Sequence, residues 1–264
     1  MPVKIPRSVA TRDLDLPRAA SAAPARPAFG RRAAQFGLLV VAALLPTLAA
    51  WLYFVVWAHT PWMRVVYGAG KVVQGALPLL GWWVLRMERK PAWAARPGAA
   101  LAGLFAGGVV GGAVLAAFAG PLPAWLPLDE AATRIHRLLV DFGAATPLRY
   151  FVLALALSVA HSLFEEYYWR WFLLGQLQLR LPLAIALPLA SLAFASHHWI
   201  VVDSFLGGEH RFTTTVLTLM VAVGGGLWGW LFRRHHSLVA PWLSHLLVDG
   251  ALMAVGWQLV KQAL

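Results

Sequence analysis

The sequence predicts an all-α, polytopic integral membrane protein with about seven transmembrane helices and one short interfacial helix. Three observations carry that prediction. Of 264 residues, 60% are hydrophobic and only 12% charged, against about 25% charged in a soluble domain. The apolar residues gather into runs near the roughly 20 residues that a helix needs to cross a bilayer. The chain also holds 14 tryptophans, whose indole rings favour the headgroup region. Cysteine is absent, which excludes disulfides, thiolate metal sites and a Cys nucleophile. The net charge of +11 follows membrane topology rather than one basic face, so the bilayer and not nucleic acid is the expected partner.

Residues 1–33 are rich in Pro, Ala and Arg with no apolar run. A secretory signal would place an apolar stretch soon after the first charges, so this segment reads as a disordered basic cytoplasmic tail, with anionic-lipid contact as a second reading. Residues 34–120 hold three spans, Phe36–Ala58, Val65–Leu85 and Ala99–Ala119. Gly103, Gly107 and Gly111 sit at four-residue spacing in the third, which lets a neighbouring helix approach closely, although glycine is also common in membrane helices generally. Residues 121–146 form an outer-side loop. Pro121, Pro123 and Pro127 break regular structure there, and Ile135, Leu138, Leu139 and Phe142 fall on one side of a helix over Leu128–Phe142 that would lie in the interface.

Residues 147–264 form a four-helix core, with spans at Leu148–Gly175, Leu183–Val202, Phe212–Phe232 and Leu238–Val260. Charge placement orients the whole. With the N-terminus inside, the inner side collects seven Lys/Arg before residue 36, four between 86 and 96, and Arg170, Arg180, Arg233 and Arg234. The outer side collects Arg64, Arg134, Arg137, Arg149, Arg211 and Lys261. This bias predicts a cytoplasmic N-terminus and an outside C-terminus.

The stretch HSLFEEYYWRWF, His161–Phe172, places Glu165, Glu166 and Arg170 in an apolar segment. Intramembrane acids are costly and mark functional sites. On an α-helix Glu166 and Arg170 share a face and can pair, while Glu165 points about 100° away. That splits the acids into one held ionised and one free to exchange a proton. The competing reading is an ion-pair network that only locks helices together. The fifth span carries Phe194 and His198 one turn apart in FASHH, and the seventh carries His245 and Asp249 one turn apart in HLLVD. If the three spans pack around one cavity, a carboxylate and an imidazole can deprotonate a water while a second imidazole supports oxyanion charge. Equal depth for the three rungs requires the fifth helix to begin near Pro188, and places the site in the inner half, open to the cytoplasmic side.

EEYYWR, FASHH and HLLVD, in this order on three separate spans, resemble the EExxxR, FxxxH and HxxxN/D motifs of the CAAX-protease and bacteriocin-processing (CPBP/Abi) family of intramembrane proteases. The resemblance covers roughly residues 147–252 and implies hydrolysis of a peptide bond in a membrane-anchored substrate, a prenylated CAAX protein or a bacterial peptide. It implies that Glu165 and His198 activate water, that Glu166 and Arg170 orient and tune that pair, and that His245 with Asp249 stabilises the oxyanion. Asp249 departs from the commoner Asn; an ionised Asp is a poor donor, so it orients His245 or is itself protonated. A zinc reading competes, with Glu165, His198 and His245 as ligands and water in the fourth position, although no HExxH is present. His161 is open between an extra ligand, a partner behind a ligand and a packed polar residue, and His197 reads as a neighbour of His198 without a role. The rival from another class is a non-catalytic immunity or scaffold protein, or a transporter, using the same polar cluster. Transport predicts a polar path across the whole bilayer, whereas proteolysis predicts one cluster at one depth.

Overall fold

The computed structural model describes residues 29–88 and 97–264, and among them every regular element is helical. Most of the expected tail, residues 1–28, lies outside the described residues. Helix α1 (Phe29–Trp51) starts earlier than the expected Phe36 and continues as a π-helical turn, Leu52–Val56. Helix α2 (Trp62–Leu79) likewise runs on as Leu80–Val84. Then follow α3 (Pro97–Ala119), α4 (Leu128–Phe142) and α5 (Pro147–Leu177), the last alternating α- and π-helical stretches along one continuous helix. Helices α6 (Leu183–Leu206), α7 (Arg211–His235) and α8 (Val239–Val260) complete the bundle.

Six of these helices, α1, α3, α5, α6, α7 and α8, are long and apolar enough to cross a membrane. The expected second span forms as α2 but is less apolar, because Lys71 and Gln74 lie in its middle. Leu101, Phe105, Leu148, Phe212 and Val223 are exposed, while Glu165, Glu166, Arg170 and His245 are buried. An outward apolar surface around an ionisable interior is the arrangement of a protein solvated by lipid, and the chain is an integral membrane protein.

Helix α5 occupies the middle. Its Tyr168, Trp169, Phe172 and Leu173 share one core with Leu38, Leu39 and Ala42 of α1, Phe194 of α6, Trp228 and Leu231 of α7, and Val248 of α8. Lacking a hydrophobic drive between helices, a lipid-solvated bundle relies on close packing and interhelical hydrogen bonds. Tyr168 Oη donates to the Ala42 carbonyl at 2.7 Å, the Thr47 and Ser196 hydroxyls meet at 2.6 Å, and Tyr150 Oη donates to the Met253 carbonyl at 2.6 Å. The late start of α6 at Pro188 is not observed. The helix begins at Leu183 and runs through Pro188, since one missing donor is tolerated inside a membrane helix. The three rungs meet because the helices are offset along the bundle.

The glycine stripe of α3 is a packing seam. Gly103, Gly107 and Gly111 are buried against Ala240, Ser244 and Leu247 of α8. Helix α4 brackets one end of the bundle: Leu139 packs with Tyr150 and Val260, and Leu138 and Phe142 pack with Tyr53 and Met63. His59 Nδ1 meets Asp141 Oδ2 at 2.6 Å, tying the α1–α2 connection to α4.

A Cβ added at Gly107 would sit 2.7 Å from Ser244 Cα, whereas one at Gly108 meets nothing within 4 Å. Gly107→Ala is therefore expected to destabilise by about 1–3 kcal/mol through overpacking, and Gly108→Ala to leave stability unchanged or raised. Thermal unfolding in detergent distinguishes them, and equal melting of the two variants would dismiss the seam.

Candidate active site

Two π-helical stretches of α5, Ala156–His161 and Glu166–Leu174, flank a single α-helical turn, Ser162–Glu165. Hydrogen bonding from i to i+5 puts more residues in each turn, so consecutive side chains diverge less than on an α-helix, and such segments gather at functional sites. Glu165 and Glu166 themselves keep α-helical dihedrals, φ −69°, ψ −41° and φ −63°, ψ −41°, and the side chains of both nevertheless approach one imidazole. His245 Nδ1 donates to Glu166 Oε1 at 2.8 Å, and its Nε2 lies 3.8 Å from Glu165 Oε2 and 3.5 Å from Asp249 Oδ1. The Nδ1 bond settles which nitrogen faces the remaining two acids.

The same Glu166 oxygen forms an ion pair with Arg170 Nη1 at 3.1 Å, without hydrogen-bond geometry. Arg170 Nη2 donates to the Gly225 carbonyl at 3.4 Å, and the guanidinium lies 4.4 Å from the Phe194 ring centroid and 5.2 Å from that of Trp228. A planar, weakly hydrated cation suits such an aromatic slot. Trp228 also stacks on His245 with centroids 3.8 Å apart, and its indole N–H donates to Ser244 Oγ at 3.1 Å. Glu166 on α5 and Trp228 on α7 therefore hold His245 of α8 in place.

Glu165 has different company. His161 Nε2 approaches its Oε1 at 3.3 Å and His197 Nε2 approaches the same oxygen at 3.5 Å. His198 Nδ1 donates to the Phe194 carbonyl at 3.0 Å, which leaves Nε2 free. One ligand atom from each of Glu165, His197 and His198 lies within 4.8 Å of the others. This compact donor set replaces His245 by His197 in the zinc triad expected from sequence. Two imidazoles and a carboxylate are a fitting set for zinc, and His197 Nδ1 is a buried nitrogen without a hydrogen-bond partner.

The structure thus joins Glu165, Glu166, Arg170, His245 and Asp249 by direct contacts and brings His198 beside Glu165. His161 and His197, given no firm role on sequence, both touch Glu165; the one-turn spacing from His161 to Glu165 was a signal for the first. Nothing in the sequence pointed to Trp228. Among the described residues Lys71 pairs with no carboxylate; it lies 5.4 Å from the Phe164 ring centroid, with Nζ 3.4 Å from Gln74 Oε1.

Burial shows which edge of the cluster is open. Glu165 is 2% exposed, while His161 is 26% and Asp249 19% exposed. Both lie on the side of the acids nearer α4, because α5 starts and α8 ends there. Helix α1 starts at the opposite end of the bundle. The more exposed members of the cluster, His161 and Asp249, therefore lie towards the bundle end opposite the start of α1.

Arg170→Ala is expected to destabilise by about 3–5 kcal/mol, the cost of leaving a buried partner charge uncompensated. Adding Glu166→Gln should recover part of the loss. Thermal unfolding of the single and double variants measures this, and additive losses would contradict the pairing.

Residues 147–251 match the family model Type II CAAX prenyl endopeptidase Rce1-like. The match begins where α5 begins, ends within α8, and contains every member of the cluster. No curated protein and no solved structure matches the chain.

Proposed function

Taking residues 147–251 as a type II CAAX prenyl endopeptidase Rce1-like domain, we propose that the protein is an intramembrane endopeptidase in which Glu165 activates the attacking water. The observation that carries this reading is the pairing of two buried acids with different partners around His245. Glu166 is paired with Arg170 and His245, whereas among the described residues the close charged-group partners of Glu165 are imidazoles. A carboxylate without a guanidinium partner is the one suited to accept and release a proton.

The separation of up to 4.8 Å between Glu165 and His198 donor atoms is spanned by one water making bonds of about 2.8 Å to each. In this reading Glu165 takes the proton as the water oxygen attacks the peptide carbonyl carbon. The C–N bond then breaks and the proton passes to the leaving amine. His198 Nε2, left free by the Nδ1 bond to Phe194, orients the water. His245 Nε2 supports the oxyanion, with Asp249 and Glu166 fixing its ring. When bound, zinc would be held by Glu165, His197 and His198 and would supply Lewis acidity there. The substrate reaches the cluster from the α4 end. One compact cluster on three helices, rather than a polar path through the bundle, favours hydrolysis over transport. The family match makes a membrane-anchored, prenylated CAAX-type peptide the first substrate to test, with unprenylated bacterial peptides as the comparison.

In reconstituted vesicles bearing such peptides, Glu165→Gln and His198→Ala are expected to lower cleavage by about 10²–10⁴-fold, and His245→Ala by about 10²–10³-fold. Cleavage in H₂¹⁸O should place the label in the new carboxyl group. Cleavage by Glu165→Gln at the wild-type rate would sink the mechanism.

A further inference from the structure

We propose that a second cavity, between α1, α4, α6 and the start of α7, binds the headgroup of an anionic, hydroxyl-bearing phospholipid. The cavity has a volume of about 510 Å³ and is lined by no member of the acid and histidine cluster. Its size falls within the roughly 300–1,000 Å³ of small-molecule sites. It sits where α1 and α6 end and α7 begins, with α4 across that end. In a bundle whose α1, α6 and α7 are long enough to span the bilayer, helix ends lie at headgroup depth. Trp51 and Val55 form an apolar wall and are 47% and 56% exposed, so this wall continues onto the lipid-facing surface.

The other wall is basic. Arg134 and Arg137 of α4 and Arg211 of α7 line it, against one acid, Asp203. His59, also in the lining, already meets Asp141 at 2.6 Å. Glu130 lies 3.9 Å from Arg134 but is 57% exposed, and so open a pair is weak. Among the described residues Arg137 and Arg211 pair with no carboxylate. The arginines are seated rather than scattered. Gly207 has φ +90°, and a Cβ there would sit 2.8 Å from Arg134 Nη2, so glycine lets that guanidinium reach the backbone. Arg211 Nε donates to the Gly208 carbonyl at 3.2 Å, which fixes the fork and leaves its terminal nitrogens for a phosphate. Helix α7 starts there with no side-chain cap and no acid in its first turn, and free N–H groups at such an end also favour an anion. Asp203 Oδ1 is buried and has no hydrogen-bond partner among the described residues. It opposes a bare phosphate but accepts from a headgroup hydroxyl. The lining therefore suits a glycerol-type phosphodiester better than a phosphomonoester, and a net anion better than a zwitterion.

The test uses the full-length protein, delipidated in neutral detergent and titrated with phosphatidylglycerol, phosphatidylcholine, phosphatidic acid or water-soluble glycerol phosphate. Native mass spectrometry counts the bound lipid, and thermal unfolding is followed in parallel. One phosphatidylglycerol retained per chain, raising the melting temperature more than the other three ligands do, is the expected result. Arg137→Gln and Arg211→Gln should each weaken its binding about fivefold or more, whereas Arg234→Gln, the same charge change at the far end of α7, alters it less than about twofold. Asp203→Ala should abolish the preference for phosphatidylglycerol over phosphatidic acid. Equal binding of phosphatidylglycerol and phosphatidylcholine by the wild type would overturn the proposal, and that comparison decides the matter even where a variant fails to fold. Equal losses in Arg137→Gln and Arg234→Gln would reduce the site to diffuse charge and overturn it as well. Glycerol phosphate binding as tightly as the lipid would replace it by a soluble phosphate site. Displacement of the lipid by a tripeptide acid, but not by the tripeptide amide, would replace it by a peptide-carboxylate site. None of these outcomes depends on whether Glu165 activates water.

Discussion

The structure depends on one buried oxygen. Glu166 Oε1 takes Arg170 at 3.1 Å and His245 at 2.8 Å, and Glu166 itself is fully buried. A carboxylate in a lipid-solvated interior costs several kcal/mol unless its charge is answered; here Arg170 Nη1 answers as an ion pair without hydrogen-bond geometry and His245 Nδ1 as a hydrogen-bond donor. The answer here comes from two helices, α5 and α8. It extends to α7 through the Gly225 carbonyl and Trp228, and to α6 through the Phe194 ring. Moving any of these helices would strand a charge, so the pair acts as a geometric constraint on all four. Glu165, one residue earlier, is spared that duty and is surrounded by groups that exchange protons.

Much of this was legible in the sequence. The apolar runs mark the helices, the acids stand out against an apolar background, and the one-turn spacing of Glu166 to Arg170 indicates the pair. Other features left no mark that residue types reveal. The π-helical stretches of α5 contain no proline or glycine to announce them. A reading from one helix alone separates Glu165 and Glu166, because their common partner His245 is supplied by the packing of α8. In the sequence His197 is only the neighbour of His198 without a role, yet ligand atoms of both lie within 4.8 Å of Glu165. The offset of the helices along the bundle is a tertiary property, and counting residues from span ends misplaced the start of α6 at Pro188.

The distribution of histidine around Glu165 also bears on how such a base works. Two imidazoles share one of its oxygens, while His245 stands opposite the other. The two oxygens are therefore unequal: one is crowded by imidazole nitrogens, and the other faces the ring proposed above to support the oxyanion. In the reading proposed above, a water between Glu165 and His198 would meet a carboxylate oriented by three side chains from three helices and, among the described residues, in no direct ion pair with a Lys or Arg.

The α3–α8 seam sits outside this chemistry and yet limits it. Gly107 faces the backbone of Ser244, the residue before His245, with no side chain between them to take up error. The register of the histidine is thus set by contact with a helix that lies before residue 147, where the family match begins. The segment that carries the resemblance is consequently smaller than the segment that folds: residues 147–251 alone would present the glycine-facing side of α8 to lipid, with nothing of matching shape to hold it. Grafting the three motifs onto another scaffold would require carrying α3 with them.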